Sequence, residues 1–320
     1  MTAPADTPVA AVFMVEPGHY EWPAILLAAS LRAFSQDELH LHAYCRATLI
    51  DQLRPETRAT LEALGTTLAP IEPGFQVIYP QGNKLYACAA PRSAPATVLF
   101  DSDMFLLRPA LLSETLREGC VSGRPTGNWM WGVTPQDWTP AYESVGLALP
   151  PARMARPDGS YTAPSVSAGY VAYLEPDFGA LWRDTALTIE AKGLARGIYP
   201  TLDQISLPVA VRRAGLRLNM IDVKWNKAGK ITPQALQNVV AYHYQTAETL
   251  LELPLLWLAD RLIAEFTRWD STRAMIAFYD ANAARPDTVV HNAGWRETVL
   301  KPQRRVHISH KRAIGKADPK

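Results

Sequence analysis

Two aspartates follow a short apolar stretch in the first third of the chain. Residues 98–100 are Val, Leu and Phe, and Asp101 and Asp103 come next with Ser102 between them. If the apolar residues form a buried strand, the loop after it can turn both carboxylates toward one point. Carboxylate oxygens suit a hard divalent cation such as Mg²⁺ or Mn²⁺, which would offset the charge of a diphosphate. A solvated turn and a helix cap are the alternative interpretations of this pair.

The elements around this pair alternate between strand and helix. Residues 9–15 form an apolar run that predicts a strand, and a helix is predicted from Pro23 to Phe34. We predict further strands over residues 39–44, 97–100 and 166–174, and further helices over residues 55–64, 178–194 and 201–215. This alternation predicts an α/β fold with a Rossmann-type, mixed but mainly parallel sheet and helices on both faces. Ligands of such sheets lie beyond the carboxyl ends of the strands, where Asp101 and Asp103 fall.

The pattern becomes helical toward the C-terminus. From Pro254 onward, five apolar residues recur at the spacing of an amphipathic helix that packs on the domain or forms a homodimer contact: Leu255, Leu258, Leu262, Phe266 and Trp269. Residues 301–320 carry seven Lys and Arg residues and one acid, which predicts a solvated basic tail or a weak contact with an anionic membrane. We divide the chain into a catalytic domain, residues 1–247, and a helical C-terminal extension, residues 248–320.

Composition excludes several classes of protein. The 320 residues carry a formal net charge of +1, without the basic surplus of nucleic-acid-binding proteins, so we expect no nucleic-acid partner. Cys45, Cys88 and Cys120 are odd in number and lack metal-type spacing, which indicates reduced, packed thiols. No apolar run approaches the roughly 18 residues of a membrane span, and the first residues show no signal-peptide pattern. We therefore expect a cytoplasmic protein without a transmembrane segment.

A long irregular segment is predicted directly after the candidate site. Residues 123–164 are rich in Pro, Gly and Trp and show little periodicity. Long loops beside a site often bind substrate. The rings of Trp129, Trp131 and Trp138 would either stack on the apolar face of a sugar or pack in the core.

Several short motifs occur in a characteristic order. They are Asn-Lys-Leu-Tyr-Ala at 83–87, the Asp-Ser-Asp stretch with Leu-Arg-Pro at 107–109, Ser-Ala-Gly at 167–169, Leu-Asp-Gln at 202–204, Trp-Asn at 225–226 and Val-Val-Ala-Tyr-His-Tyr at 239–244. This series, over about residues 9–245, resembles the GT-A nucleotide-sugar glycosyltransferases. It is similar in particular to the family 8-like retaining enzymes, the group of glycogenin and bacterial lipopolysaccharide galactosyltransferases.

The resemblance implies a metal-dependent transfer of sugar from a nucleotide diphosphate donor, by family a UDP-sugar, to a hydroxyl acceptor with retention. The acceptor would be a glycan, a lipid-linked saccharide or a protein. Asp101 and Asp103 then hold Mn²⁺ or Mg²⁺, and His243 supplies a further ligand. Asp203 and Gln204 match the catalytic pair beside the donor sugar, where an oxygen atom stabilises the oxocarbenium-like centre. As local features, Asp203 would instead cap a helix and His243 would be structural.

The resemblance also implies donor contacts around the metal site. Glu16 and Tyr20 follow the first strand, where the nucleotide base and ribose bind, and Tyr20 would stack on uracil or cap the core. Asn83 and Lys84 match positions near the donor sugar, and a solvated lysine is the alternative for Lys84. Ser102 belongs with Asp101 to the same donor-binding loop.

The chain departs from the family at its end. The pattern His-x-x-Gly-x-x-Lys-Pro-Trp is absent after His243, and a partial echo with different spacing starts at His291. His291 is therefore a second candidate for the third metal ligand. Two rival functions remain open at this stage: a haloacid-dehalogenase-like phosphatase that uses Asp101 and Asp103, and a non-catalytic protein that binds nucleotide-sugars.

Overall fold

The computed structural model describes residues 7–127, 131–229 and 232–281. Its strands are β1 (Val9–Met14), β2 (Leu39–Arg46), β3 (Thr66–Ile71), β4 (Ala96–Phe100), β5 (Met104–Leu106), β6 (Cys120–Pro125), β7 (Met154–Ala155), β8 (Tyr161–Thr162), β9 (Val166–Tyr173), β10 (Arg217–Met220), β11 (Lys227–Ala228) and β12 (Ala241–His243). Its helices are α1 (Glu21–Phe34), α2 (Pro55–Ala63), α3 (Asn83–Ala89), α4 (Thr139–Glu143), α5 (Phe178–Lys192), α6 (Leu202–Arg213), α7 (Pro233–Leu236), α8 (Ala247–Leu250), α9 (Leu255–Phe266) and α10 (Thr272–Asp280).

The main sheet is mixed and mainly parallel, which confirms the predicted fold class. Within the described residues its strand order is β10-β6-β9-β4-β1-β2-β3. Strands β3, β2, β1 and β4 run parallel to one another, as do β6 and β10, whereas β9 is antiparallel to both its neighbours. The carboxyl ends of β1 and β4 therefore meet at one edge, and the Ser102 hydroxyl donates to the Met14 carbonyl there at 2.5 Å.

Strand β1 shows why helices cover both faces of the sheet. Val9, Ala11 and Phe13 enter one core with α1, α9 and α10, whereas Ala10 and Val12 enter a second core with α3, α5 and α6. A strand that is apolar on both faces needs cover on both, as its continuous apolar sequence predicts. Helix α1 begins at Glu21, two residues before the predicted Pro23, and the Glu21 carboxylate accepts from the Gly18 amide at 2.8 Å.

A small second sheet carries the histidine of the candidate site. Strand β12 pairs antiparallel with β5, so that His243 lies opposite Met104, and it pairs parallel with β11. The Tyr244 amide donates to the Asp103 carbonyl at 3.0 Å. Because β5 starts directly after the two aspartates, this pairing brings the histidine to them across about 140 residues of sequence.

The helices after residue 247 pack on the same core as α1. Side chains of Leu255, Leu262 and Ile263 are fully or almost fully buried there, and α9 packs against α1. The predicted amphipathic helix exists but ends at Phe266, and Trp269 lies buried beyond its end rather than on it. Among the described residues, no helix has the length and apolar character needed to span a membrane. His291 and the basic tail, residues 301–320, lie outside the described residues.

Core packing decides between the two alternatives for Trp138. Its side chain is fully buried and its indole N–H donates to the Gly132 carbonyl and the Thr162 hydroxyl, so Trp138 packs in the core and does not stack on a sugar. Trp131 packs edge-on against Trp138 with ring centroids 5.3 Å apart, and its indole N–H donates to the Arg196 carbonyl. Trp129 lies outside the described residues.

The cysteines are packed thiols, as predicted. Cys45, Cys88 and Cys120 are all free and buried. Burial raises the pKa of the Cys88 thiol to about 11. Cys88 therefore behaves as a small apolar core residue rather than as a nucleophile.

One close helix contact gives a test of the fold. Helix α5 crosses α3 at Gly179, where an added Cβ would lie 2.0 Å from the Cys88 carbonyl oxygen. Because that oxygen is backbone, we expect Gly179→Ala to lower the free energy of unfolding by about 1–3 kcal/mol despite the better helix propensity of alanine. Denaturant titration measures this change in the free energy of unfolding. The matched control is Gly127→Ala, where a Cβ meets nothing within 4 Å, and a change of more than about 0.5 kcal/mol in that control would weaken the packing argument.

Candidate metal and donor site

Two aspartates and one histidine converge at the edge where β4 ends. His243 Nε2 lies 3.0 Å from Asp103 Oδ1 and 3.9 Å from Asp101 Oδ2. One ligand atom from each of the three residues lies within 4.8 Å of the others. The Asp101 amide donates to the Gly169 carbonyl at 2.8 Å, which fixes the loop against β9. The two aspartates lie in a turn between β4 and β5, with both side chains partly buried, and no helix starts there, so the helix-cap interpretation of the pair is wrong.

Gly169 leaves the space between these ligands open. A Cβ built there would lie 2.9 Å from Asp101 Oδ2 and 3.2 Å from His243 Cε1. Any other residue would therefore fill the space that the carboxylates and the imidazole surround. Two carboxylates and a borderline-soft imidazole fit Mn²⁺ well and Mg²⁺ acceptably.

The charges in this cluster perturb one another. Burial alone would lower the pKa of His243, but the carboxylates of Asp103 and Asp101 outweigh it and raise that pKa. Burial opposes the charged form of Asp103 too, yet the positive charges of His243 and Lys84 lower the pKa of this aspartate. Burial raises the pKa of Asp101. The cluster thus favours a positive charge between the two carboxylates.

Lys84 is buried and bridges two parts of the site. Its ammonium donates to Asp101 Oδ1, lies 3.3 Å from Asp203 Oδ2 and contacts the Ala168 carbonyl oxygen at 3.4 Å. Burial works against the ammonium, but Asp101 and Asp203 raise its pKa, so Lys84 stays cationic. The alternative of a solvated lysine is wrong.

Asp203 lies within the first turn of α6 and does not cap it. The N-cap is Thr201, two residues earlier. Asp203 Oδ1 accepts from the Tyr79 hydroxyl at 2.6 Å, and the Asp203 amide donates to the same hydroxyl at 2.9 Å. Burial, and then the charge of Asp203, raises the pKa of Tyr79, which therefore remains a donor. Gln204 is partly buried beside this carboxylate.

A cavity of about 520 Å³ is connected to this site through Tyr79, which lines the cavity and donates to Asp203. Its walls come from the end of β2 and from the segment between β3 and α3, and they include Arg46, Tyr79 and Asn83. The Glu16 carboxylate accepts from Arg46 Nε and Nη2, both at 2.9 Å, and from Asn83 Nδ2 at 2.7 Å. Glu16 therefore connects two walls of the cavity. Tyr20, four residues after Glu16, is 50% exposed.

Sequence reasoning missed four residues of this region: Arg46, Tyr79, Gly169 and Asn226. Gly169 and Asn226 belong to the Ser-Ala-Gly and Trp-Asn motifs, which marked them without giving them a role. Tyr79 reaches Asp203 across 124 positions, and Arg46 reaches Glu16 across 30. Because these contacts join residues far apart in the chain, no local sequence pattern predicts them.

Comparison with known proteins now decides the class of enzyme. Residues 11–215 match the model of the Rhodobacterales glycosyltransferase domain. The chain belongs to this glycosyltransferase family. The matched range contains Lys84, Asp101, Asp103 and Asp203, and the resemblance to glycosyltransferases is thereby confirmed, whereas the phosphatase alternative is not. A comparison with curated proteins finds no match.

Two solved structures are similar to the chain. One is the galactosyltransferase LgtC in complex with donor and acceptor sugar analogs, which is 13% identical over 84% of this chain and 98% of that chain, with a TM-score of 0.49. The other is an active-site mutant of LgtC, 12% identical over 80% of this chain and 93% of that chain, with a TM-score of 0.46.

The buried bond between Tyr79 and Asp203 gives a test of the site. Tyr79→Phe keeps the ring but leaves a buried carboxylate oxygen and an amide without this partner, so we expect the free energy of unfolding to fall by about 1–3 kcal/mol. Tyr86→Phe is the matched control, because the Tyr86 ring also packs on Phe75 but its hydroxyl bonds to the Gly74 amide at an exposed position. If urea titrations show the same loss in free energy of unfolding for Tyr79→Phe and Tyr86→Phe, the stabilising role of the buried Tyr79–Asp203 bond is contradicted.

Proposed function

We propose that this enzyme transfers a sugar from a UDP-sugar to a hydroxyl acceptor, with a divalent metal and with retention of the anomeric configuration. The observation that carries the proposal is the convergence of Asp101, Asp103 and His243 beside the Lys84–Asp203 pair, in a chain of a glycosyltransferase family. Family membership supplies the reaction class, and the cluster supplies the groups for a diphosphate leaving group.

Asp101, Asp103 and His243 would hold Mn²⁺ or Mg²⁺. The fit rests on the chemistry of the three ligands and on the space that Gly169 preserves between them. A metal bound there supplies positive charge that stabilises the departing diphosphate. The imidazole favours Mn²⁺ over Mg²⁺, which prefers oxygen ligands alone.

The cavity beside the cluster suits the nucleoside part of the donor. It opens at the carboxyl ends of β2 and β3, where parallel sheets bind ligands. At the cavity wall, the Arg46 guanidinium donates two hydrogen bonds to the Glu16 carboxylate, one to each oxygen, and forms an ion pair with it. Asn83 donates to the same carboxylate. We place the base and ribose against these side chains and Tyr20, and the diphosphate next to Ser102 and the metal ligands.

Asp203 would face the reacting carbon as a fixed negative charge. Its carboxylate accepts from Tyr79 through one oxygen and contacts Lys84 through the other. Because both carboxylate oxygens already contact donors, Asp203 suits electrostatic stabilisation of an oxocarbenium-like centre better than deprotonation of the acceptor. Gln204, the next residue of α6, would offer an amide oxygen to the donor sugar. This arrangement supports retention, because inversion needs a general base.

We also propose where the acceptor binds and how the chain divides into domains. A glycan, a lipid-linked saccharide or a protein hydroxyl would approach from residues 123–164. This segment was predicted to be irregular, but it starts within β6 and contains α4, β7 and β8. We retain residues 1–247 as the catalytic domain and residues 248–320 as a helical extension. Reduced, buried cysteines favour a cytoplasmic enzyme.

Donor and metal binding should depend on one another. Calorimetric titration of UDP into metal-free protein should show binding only when Mn²⁺ is added, and Asp103→Ala should abolish that binding because it removes a charged ligand. The matched control is Asp51→Ala, a carboxylate whose side chain is 98% exposed. UDP binding that is equally strong without Mn²⁺ and in Asp103→Ala would contradict the metal site.

Turnover should separate from binding at Asp203. Asp203→Asn keeps the size of the side chain but removes its charge, so UDP release from UDP-glucose or UDP-galactose should fall about 10²-fold or more. Affinity for UDP with Mn²⁺ should stay within about twofold, because Asp203 would act on the sugar. The control is Asp184→Asn, because the Asp184 carboxylate pairs with Arg183 at the surface of α5. UDP binding without sugar release in the unmodified protein would favour the non-catalytic alternative.

A further inference from the structure

Asn226 is a buried polar residue beside the metal ligands. It follows the 3₁₀ turn Val223–Trp225, and only 1% of its surface is exposed. Its Oδ1 lies 3.4 Å from Nδ1 of His243, on the side of the ring away from the aspartates. Its Nδ2 lies within 3.2 Å of the position that a Cβ at Gly169 would take. Asn226 therefore packs against both the histidine and the open space of the site.

The orientation of the Asn226 amide is set by its other neighbours. Nδ2 donates to the Ser167 hydroxyl at 3.2 Å, which turns Oδ1 toward the histidine. Arg124 Nη1 donates to the Asn226 carbonyl at 2.9 Å, and the Asn226 amide donates to the Val223 carbonyl at 3.2 Å. Backbone and side chain are thus both anchored before any ligand binds.

An amide oxygen only accepts hydrogen bonds, so it selects the histidine Nδ1 that carries a proton. When Nδ1 is protonated in a neutral imidazole, the lone pair lies on Nε2. Nε2 is the atom that faces Asp103 and Asp101. The contact therefore fixes both the ring orientation and the tautomer that a metal ligand needs.

We propose that Asn226 is a positioning residue that holds His243 with its Nε2 lone pair directed at the metal bound by Asp101 and Asp103. The inference rests on the proposed function, since it assumes that these three residues bind the metal. It adds a residue that neither the motif order nor the ligand set assigns.

Mn²⁺ alone tests the inference without any sugar donor. The free-Mn²⁺ signal in electron paramagnetic resonance, followed during titration of the full chain, gives the dissociation constant. Asn226→Leu fills similar space without an acceptor and should weaken Mn²⁺ binding about 10- to 100-fold. Asn226→Asp keeps an acceptor oxygen toward Nδ1 and should retain the affinity.

A matched control separates this role from a general loss of packing. Asn219 on β10 also donates through Nδ2 to a serine hydroxyl, that of Ser122, at 2.9 Å. Asn219→Leu should leave Mn²⁺ affinity unchanged. Ser167→Ala gives a milder second test, because it removes the hydroxyl that orients the Asn226 amide, and it should weaken binding several-fold even if Asn226→Leu fails to fold.

The outcomes are distinct. Mn²⁺ binding in the unmodified chain with equal affinity in Asn226→Leu and Ser167→Ala overturns the role of Asn226 and leaves the metal site standing. Equal losses in Asn226→Leu and Asn226→Asp also overturn it, because they indicate packing alone. Absence of Mn²⁺ binding in the unmodified chain overturns the proposed metal site and the inference with it.

Discussion

The buried ammonium of Lys84 is the interaction on which the site depends. It lies between the carboxylates of Asp101 and Asp203, which come from the β4 loop and from the start of α6. Three acidic side chains meet at this edge, and burial of like charges is unfavourable without a compensating cation. Lys84, at the start of α3, provides that charge and thereby joins three elements that are distant in sequence. Removal of the ammonium would leave two buried carboxylates without this partner.

The candidate metal site draws its side chains from two different sheets. Strand β4 of the main sheet ends at Phe100, directly before Asp101, and β12 of the small sheet carries His243. The pairing of β12 with β5 sets the distance between them, and Gly169 on β9 keeps the space open. Asp101 and Asp103 share the three-residue loop between β4 and β5, and His243 lies on β12, so strands on both sides of the loop hold the geometry. The same positive charges that stabilise the carboxylates would meet the diphosphate of a donor.

Local sequence patterns predict the strands and the place of the two aspartates, but they do not predict the buried contacts between distant residues. The apolar runs predict β1 and β4, and the place of Asp101 and Asp103 after β4 follows from them. The role of Lys84 as a buried bridge and the bond from Tyr79 to Asp203 depend on contacts over long sequence separations, which periodicity does not encode. Trp138 illustrates the same limit, since its ring type fits sugar stacking and core packing equally, and only the fold shows that it is buried.

A crystal structure of the protein with UDP and Mn²⁺ would test the metal and donor site directly. We expect one Mn²⁺ ion bound by oxygens of Asp101 and Asp103, by Nε2 of His243 and by the diphosphate. We also expect the uridine in the cavity of about 520 Å³ beside Arg46 and Asn83. A nucleotide bound elsewhere, or a metal that Asp101 and Asp103 do not ligate, would contradict the proposed site.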